Sequence, residues 1–249
     1  MKNQIHLKKI STLPNLNITK EKAEIEMIKL TKKLAQIQDK LYAQNKYSVL
    51  IILQGMDTAG KDSAVKHVFS GVNPAGCNVK SFKAPSSQEG SHHFLWRISK
   101  ECPVKGMIKI FNRSHYEDIL TPLIHDKMSK ESLNERCKEI NAFEKGLIND
   151  YTIYLKFYLH ISHAEQLNRL EARKTDSTKN WKYQKNDVKE IAKHDNFKNA
   201  YEFIFKKCSE KAKWNIIPAD KKWFKNYLIL KTIIEHLEKY KIIYPKLVD

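Results

Sequence analysis

Ile51-Ile-Leu-Gln-Gly-Met-Asp-Thr-Ala-Gly-Lys-Asp-Ser63 reads as a buried strand, a glycine-bounded loop and the first turn of a helix. The apolar run from Val49 to Leu53 is too short for a core helix and stops at Gly55, which suits a parallel strand covered on both faces. Gly55 and Gly60 bracket four residues and Lys61 follows at once, the spacing of a phosphate loop up to its last position. Small residues such as Thr58 and Ala59 let backbone N–H groups converge on phosphate oxygens, and the helix N-terminus beyond Gly60 adds its positive end. At the final position, where a hydroxyl would ordinarily touch Mg2+, stands Asp62, with Ser63 one residue later and a second acid, Asp57, inside the loop. Two carboxylates beside a phosphate cradle repel a bare polyanion, so a divalent metal is expected between them and the ligand.

Working outward, a stripe of Met27, Leu30, Leu34, Ile37 and Leu41 marks one face of a helix beginning near Lys20. It is expected to pack on the sheet, with a contact to a second copy as the alternative. Residues 1–19 read as a surface arm. After the loop, a helix to Gly71 leads to a strand at Cys77 to Lys83, a helix from Gln88 to Lys100 with Phe94 and Trp96 inward, and a strand at Met107 to Phe111. Then come a helix over 130–149, a strand at Thr152 to His160, a helix from His163 to Lys174 and a polar stretch to Lys185. A helix near Phe197 to Lys211, a strand at Trp214 to Ile217 and a final helix from Trp223 to Lys241 complete the chain. The alternation predicts an α/β fold of three αβα layers around a mainly parallel five-stranded sheet, with residues 20–249 as one domain. Ligands of such sheets bind beyond the carboxyl ends of the strands. That rule brings Asp57, Lys61 and Asp62 to one rim with the charged segment Phe111-Asn-Arg-Ser-His-Tyr-Glu-Asp118.

The 249 residues carry a formal charge of +17 and a pI of 9.5, which imply a polyanionic partner: nucleic acid, an anionic membrane or a phosphate polymer. The four cysteines form no C-x-x-C pair and read as reduced thiols of a cytoplasmic protein. The most apolar long stretch, Tyr151 to Ile161, contains Lys156 and is far short of the roughly 20 residues needed to span a bilayer.

The loop with its aspartate variant, the second cluster, a basic segment near Arg169 to Lys182 and Trp214-Asn-Ile-Ile-Pro-Ala-Asp220 together resemble the family-2 polyphosphate kinases, over nearly everything after residue 20. The resemblance implies a fold similar to thymidylate kinase and Mg2+-dependent phosphoryl transfer, with Mn2+ a substitute, between inorganic polyphosphate and a nucleotide. ADP and ATP are the expected pair, with AMP and guanine nucleotides left open, along with homo-oligomers and no nucleic acid or membrane partner. It implies Asp57, Lys61 and Asp62 as the first essential cluster and Asn112, Arg113, Glu117 and Asp118 as the second, with metal at Asp57, Asp62 and Asp118. Gly55, Thr58, Ala59, Gly60 and Ser63, with Asn112 and Arg113, would complete the phosphate and nucleotide cradle.

Lys66, Lys80, Lys83 and Arg97 could line the path of a phosphate chain, and Arg169, Arg173 and Lys174, at helical spacing, could close as a lid spanning about 169–190. Trp181 and Tyr183 lie in that lid within reach of a base, whereas Trp96, Trp214 and Trp223 are assigned to the core. A terminal phosphate oxygen of ADP is already anionic, so no general base is needed; direct in-line transfer is expected, without a phosphoenzyme at His115. The competing expectations are an ATP-dependent nucleoside monophosphate kinase and a basic nucleic-acid-binding ATPase.

Overall fold

The computed structural model describes residues 5–15 and 17–247. Five strands, β1 (Ser48–Gly55), β2 (Cys77–Ser81), β3 (Ile108–Asn112), β4 (Thr152–His160) and β5 (Trp214–Pro218), form one sheet in the order β2-β3-β1-β4-β5, every pair parallel. The sheet thus has its topological switch at β1, flanked by β3 and β4, and the loop leaving β1 opens into the crevice where ligands of such sheets bind. Every residue of β1 and β4 is buried, as expected of central strands covered on both faces.

The helices are α1 (Lys20–Gln44), α2 (Lys61–Val68), α3 (Ser87–Ser91), α4 (Trp96–Ser99), α5 (Glu117–Ile124), α6 (Lys130–Asn149), α7 (His163–Thr175), α8 (Lys185–Ala192), α9 (His194–Lys207) and α10 (Lys222–Leu237). Their starts are written locally: the side chains of Thr19, Ser129 and Ser162 each accept from a backbone N–H of the following first turn, capping α1, α6 and α7. α1 ends at Asn45, which adopts the left-handed conformation.

The α1 stripe is covered. Leu34 and Leu41 are fully buried, Met27, Leu30 and Ile37 pack against the core, and the helix lies along α10. That disposes of the stripe as a face for a second copy. Three further expectations are corrected. The single helix over 88–100 is two short helices, because His92 is extended and ends α3. Trp96 is half-buried, with His92 stacked on its ring and the Lys100 ammonium over it at 4.2 Å, so it is no core residue. The arm is partly inside the fold: Leu7 is buried, its N–H donates to Glu202 (2.7 Å), and His160 Nε2 donates to the carbonyls of Leu7 (3.2 Å) and Ile10 (3.1 Å). Residues 1–4 and 16 of that arm lie outside the described residues.

Candidate active site

The phosphate loop runs from the end of β1 to Gly60, which caps α2. Gly55 is required by its surroundings, since a Cβ there would sit 3.1 Å from Leu159 Cβ and 3.2 Å from Ala59 Cβ. Thr58 (φ 65°) and Gly60 (φ 92°) turn the chain through left-handed conformations.

The loop's carbonyls are gripped from outside. Lys61 Nζ donates to Gly55 O (2.7 Å) and Met56 O (3.2 Å), Gln166 Nε2 to Asp57 O (2.9 Å), Arg169 Nη1 to Thr58 O (3.0 Å) and Lys225 Nζ to Gly60 O (2.6 Å). In a trans peptide the N–H points opposite to the C=O, so fixing these carbonyls aims the intervening amides of Asp57, Thr58 and Lys61 the other way. Together with the first amides of α2 they form an anion-binding concavity. The hydroxyl of Thr58 is buried and has no hydrogen-bond partner among the described residues, an orphan that a phosphate oxygen would satisfy.

The second cluster meets the first at the same rim. Register pairs Leu53 with Asn112, and Arg113 N donates to Leu53 O at 3.0 Å, which delivers the end of β3 beside the loop. Arg113, at φ 63°, donates to Asp57 (2.6 Å) and Glu117 (3.3 Å), and Asn112 Nδ2 donates to Asp62 Oδ1 (2.6 Å). Burial disfavours the Arg113 charge, but Glu117 and Asp57 outweigh it and hold the guanidinium above its ordinary pKa. Lys61 is pushed down to about 8, by burial first and by the neighbouring Arg113 second.

Asp57, Lys61, Asp62, Asn112, Arg113 and Glu117 are therefore one group, and Gly55, Ala59, Gly60 and Ser63 belong to the loop and helix start that frame it. Asp118 stands apart from the metal trio expected of it. Arg97 Nη2 donates to its carboxylate (3.4 Å), Arg136 to its carbonyl (2.7 Å), and burial raises its pKa against the pull of those two arginines. Among the described residues no three His, Cys, Asp or Glu side chains converge to hold a metal by themselves. The donors present fit Mg2+ in its usual protein setting, one or two carboxylates with water and substrate phosphates supplying the rest. Asp62, with a side chain 68 % exposed, and Asp57 would hold it.

The expected phosphate path and lid are redrawn by the contacts. Arg97 is buried, donating to Lys83 O (2.8 Å), and so is no open path residue; Lys80 is paired with Glu101 (2.7 Å), while Lys66 and Lys83 are exposed. Arg169 is a clamp between the loop and β5: besides Thr58 O it donates to Ala219 O (2.7 Å), Asp220 O (2.9 Å) and Glu165 (2.7 Å). Arg173 pairs with Asp187 (3.0 Å) and Lys174 with Glu171 (3.1 Å). Trp181 is 77 % exposed, and its neighbour Lys182 reaches Asp62 at 3.7 Å. His115 is fully buried, with its Nε2 3.6 Å from Glu144.

Gln166 and Lys225 went unread in the sequence. Each lies more than a hundred residues from the carbonyl it holds, and no local pattern reports such a contact. A cavity of about 690 Å³ lies beneath the arm, lined by Leu7, Ile10, Thr12 and His160 and also by His194, whose Nδ1 donates to Gln166 Oε1.

The family model for polyphosphate kinase 2 matches residues 17–245. The chain is 39 % identical over 218 residues to an AMP/ADP-polyphosphate phosphotransferase of Meiothermus ruber, covering 87 % of this chain and 82 % of that one. It is 38 % identical over 227 residues to an ADP-polyphosphate phosphotransferase of Rhodopseudomonas palustris, covering 86 % and 78 %. The crystal structure of polyphosphate kinase 2 from Arthrobacter aurescens superimposes with a TM-score of 0.96 at 35 % identity, over 100 % of this chain and 90 % of that one.

Proposed function

As a member of the polyphosphate kinase 2 family this chain moves phosphoryl groups between inorganic polyphosphate and nucleotides, and we propose that ADP is its main acceptor, AMP a second one, and Mg2+ its metal. The observation that carries the mechanism is the meeting of the phosphate loop with Arg113: a cradle of backbone amides faces a guanidinium held by Asp57 and Glu117. Family members generally need a divalent metal, which when bound neutralises phosphate charge between donor and acceptor.

Phosphoryl transfer passes through a loose transition state whose charge spreads over the equatorial oxygens, so positioning and electrostatics supply most of the catalysis. The loop amides and Thr58 hydroxyl take the phosphate chain. Lys61 exchanges the Gly55 and Met56 carbonyls for phosphate oxygens, and Arg113 leans on the group in flight. Asp57 and Asp62 would hold the metal, Asn112 fixes the Asp62 carboxylate, and Glu117 orients Arg113. The attacking ADP oxygen is already anionic and needs no base, and the burial of His115 supports transfer without a phosphohistidine. One phosphoanhydride is exchanged for another, so direction follows concentration.

Four free thiols support a cytoplasmic location, and no described helix is long and apolar enough to cross a membrane. Association into homo-oligomers belongs to the same proposal, through a face other than the covered α1 stripe; sedimentation checks it. The deciding experiment is a matrix of donors (polyphosphate, ATP, GTP) against acceptors (ADP, AMP, GDP), run in both directions with Mg2+. ATP from polyphosphate and ADP is expected. Transfer from ATP to AMP without any from polyphosphate would replace this proposal with an ATP-dependent monophosphate kinase.

A further inference from the structure

We propose that Lys225, far outside the phosphate-loop motif, is a positioning residue for phosphoryl transfer: from α10 it fixes the Gly60 carbonyl and so sets the entry of the loop into α2 for the incoming phosphate chain. The inference rests on polyphosphate as donor.

Lys225 is 0 % exposed. Lysines are almost never fully buried unless paired with an acid, yet this one makes no ion pair among the described residues. Its neighbours are mostly cationic: Arg169 from α7, Lys222 from its own helix and Lys61 from α2, against one acid, Asp62. Burial first, then these like charges, pull its pKa down to about 7. An ammonium has three donors, and the recorded bond uses one, to Gly60 O at 2.6 Å. Gly60 adopts φ 92°, a conformation in which any side chain would be strained, and the space where its Cβ would stand is taken by Lys225 Nζ.

Such a group destabilises the free protein. What would relieve the crowding of positive charge is a polyanion in the loop, and the phosphate chain is one. Lys225 therefore stores repulsion in the empty site that ligand binding releases, while its bond to Gly60 keeps the amide of Lys61 turned to the phosphate. A purely structural lysine would act in the opposite sense: its loss would lower the stability of the free protein.

The test compares the full-length protein with Lys225→Met and Lys225→Gln, the latter keeping a neutral donor for Gly60 O. Melting temperature is read with and without tripolyphosphate and Mg2+, and steady-state constants are read for polyphosphate and ADP separately. Lys225→Met is expected to melt no lower than wild type when unliganded and to lose more than half of the tripolyphosphate-induced rise. Its kcat/KM for polyphosphate should fall about 10- to 100-fold, as for a misplaced catalytic loop, with KM for ADP nearly unchanged. Lys225→Gln should fall between the two. A Lys225→Met protein that melts lower without ligand, or fails to fold, marks a structural role and overturns the proposal, as does unchanged kcat/KM for polyphosphate. Wild-type protein that makes no ATP from polyphosphate and ADP would sink the function itself, and this inference with it.

Discussion

Replacing Lys156 by Met tests whether the rim is held from below by a buried charge pair. Lys156, in the middle of β4, is fully buried and donates from Nζ to Glu144 (2.8 Å), Cys208 O (2.9 Å) and the Tyr116 hydroxyl (3.0 Å), which uses all three of its protons. Tyr116 in turn donates to Glu144, and it sits in the segment that carries Arg113 and Glu117. The attraction across 2.8 Å amounts to about 6 kcal/mol at an effective dielectric of about 20. Part is offset by no longer burying the ammonium, leaving a net loss of about 3–5 kcal/mol when one partner of a buried pair is removed.

The loss is also capped, because the stranded Glu144 can take a proton. Raising an ordinary carboxyl pKa of about 4.3 to pH 7 costs about 3.7 kcal/mol, in agreement with the first figure. Burial pushes Glu144 up, but Lys156 and His115 outweigh it and hold it below the usual carboxylate value. In the wild type its contribution is thus present above the unfolded pKa and lost as pH falls through the lowered folded one. In Lys156→Met the sign reverses: at pH 5 the protonation costs only about 1 kcal/mol, so the variant's deficit should shrink on acidification. Thermal unfolding at pH 7 should show a fall of about 6–20 °C for a chain of this size. A deficit below about 1 kcal/mol at pH 7, or one independent of pH, would refute the account.

Asp62→Asn should leave the melting temperature within a degree or two, because that carboxylate is mostly exposed, while polyphosphate-dependent ATP formation falls at least about 100-fold; retained turnover would remove Asp62 from the metal site. Chelation with EDTA should abolish ATP formation and added Mg2+ restore it, with the far-ultraviolet circular dichroism unchanged throughout. Arg169→Lys keeps the charge but not the fork that spans Thr58 O and the Ala219 and Asp220 carbonyls. Its kcat/KM should drop about 10- to 100-fold, and hydrogen exchange at the loop amides should quicken; wild-type kinetics would show that Arg169 acts elsewhere.

Much of the candidate site was legible because its information is local. The run Val49 to Leu53, the glycines at 55 and 60 and Lys61 fix a strand, a turn and a helix start within a dozen residues, and the parallel alternation then carries Asn112 and Arg113 to the same edge. Non-local contacts escaped. The spacing of Arg169, Arg173 and Lys174 puts them on one helix, α7, but what Arg169 meets depends on Thr58 and Asp220, far off in the chain. Gln166 and Lys225 escaped for the same reason. α5 has no assignment from the sequence, because its charged start and the Pro122 in its interior weaken the helical pattern. α8 was lost in a polar stretch whose apolar residues, Val188 and Ile191, are too few to set a period.

Asp220 accepts from both the Thr12 hydroxyl (2.7 Å) and the N–H of Ser162 (2.8 Å), while Arg169 holds its carbonyl. Thr12 thus waits for a partner made 208 residues later. During synthesis the arm can meet His160 and Glu202 before β5 emerges, but its Thr12 end has no anchor until Asp220 is made, so that end closes last, after the central strands have paired.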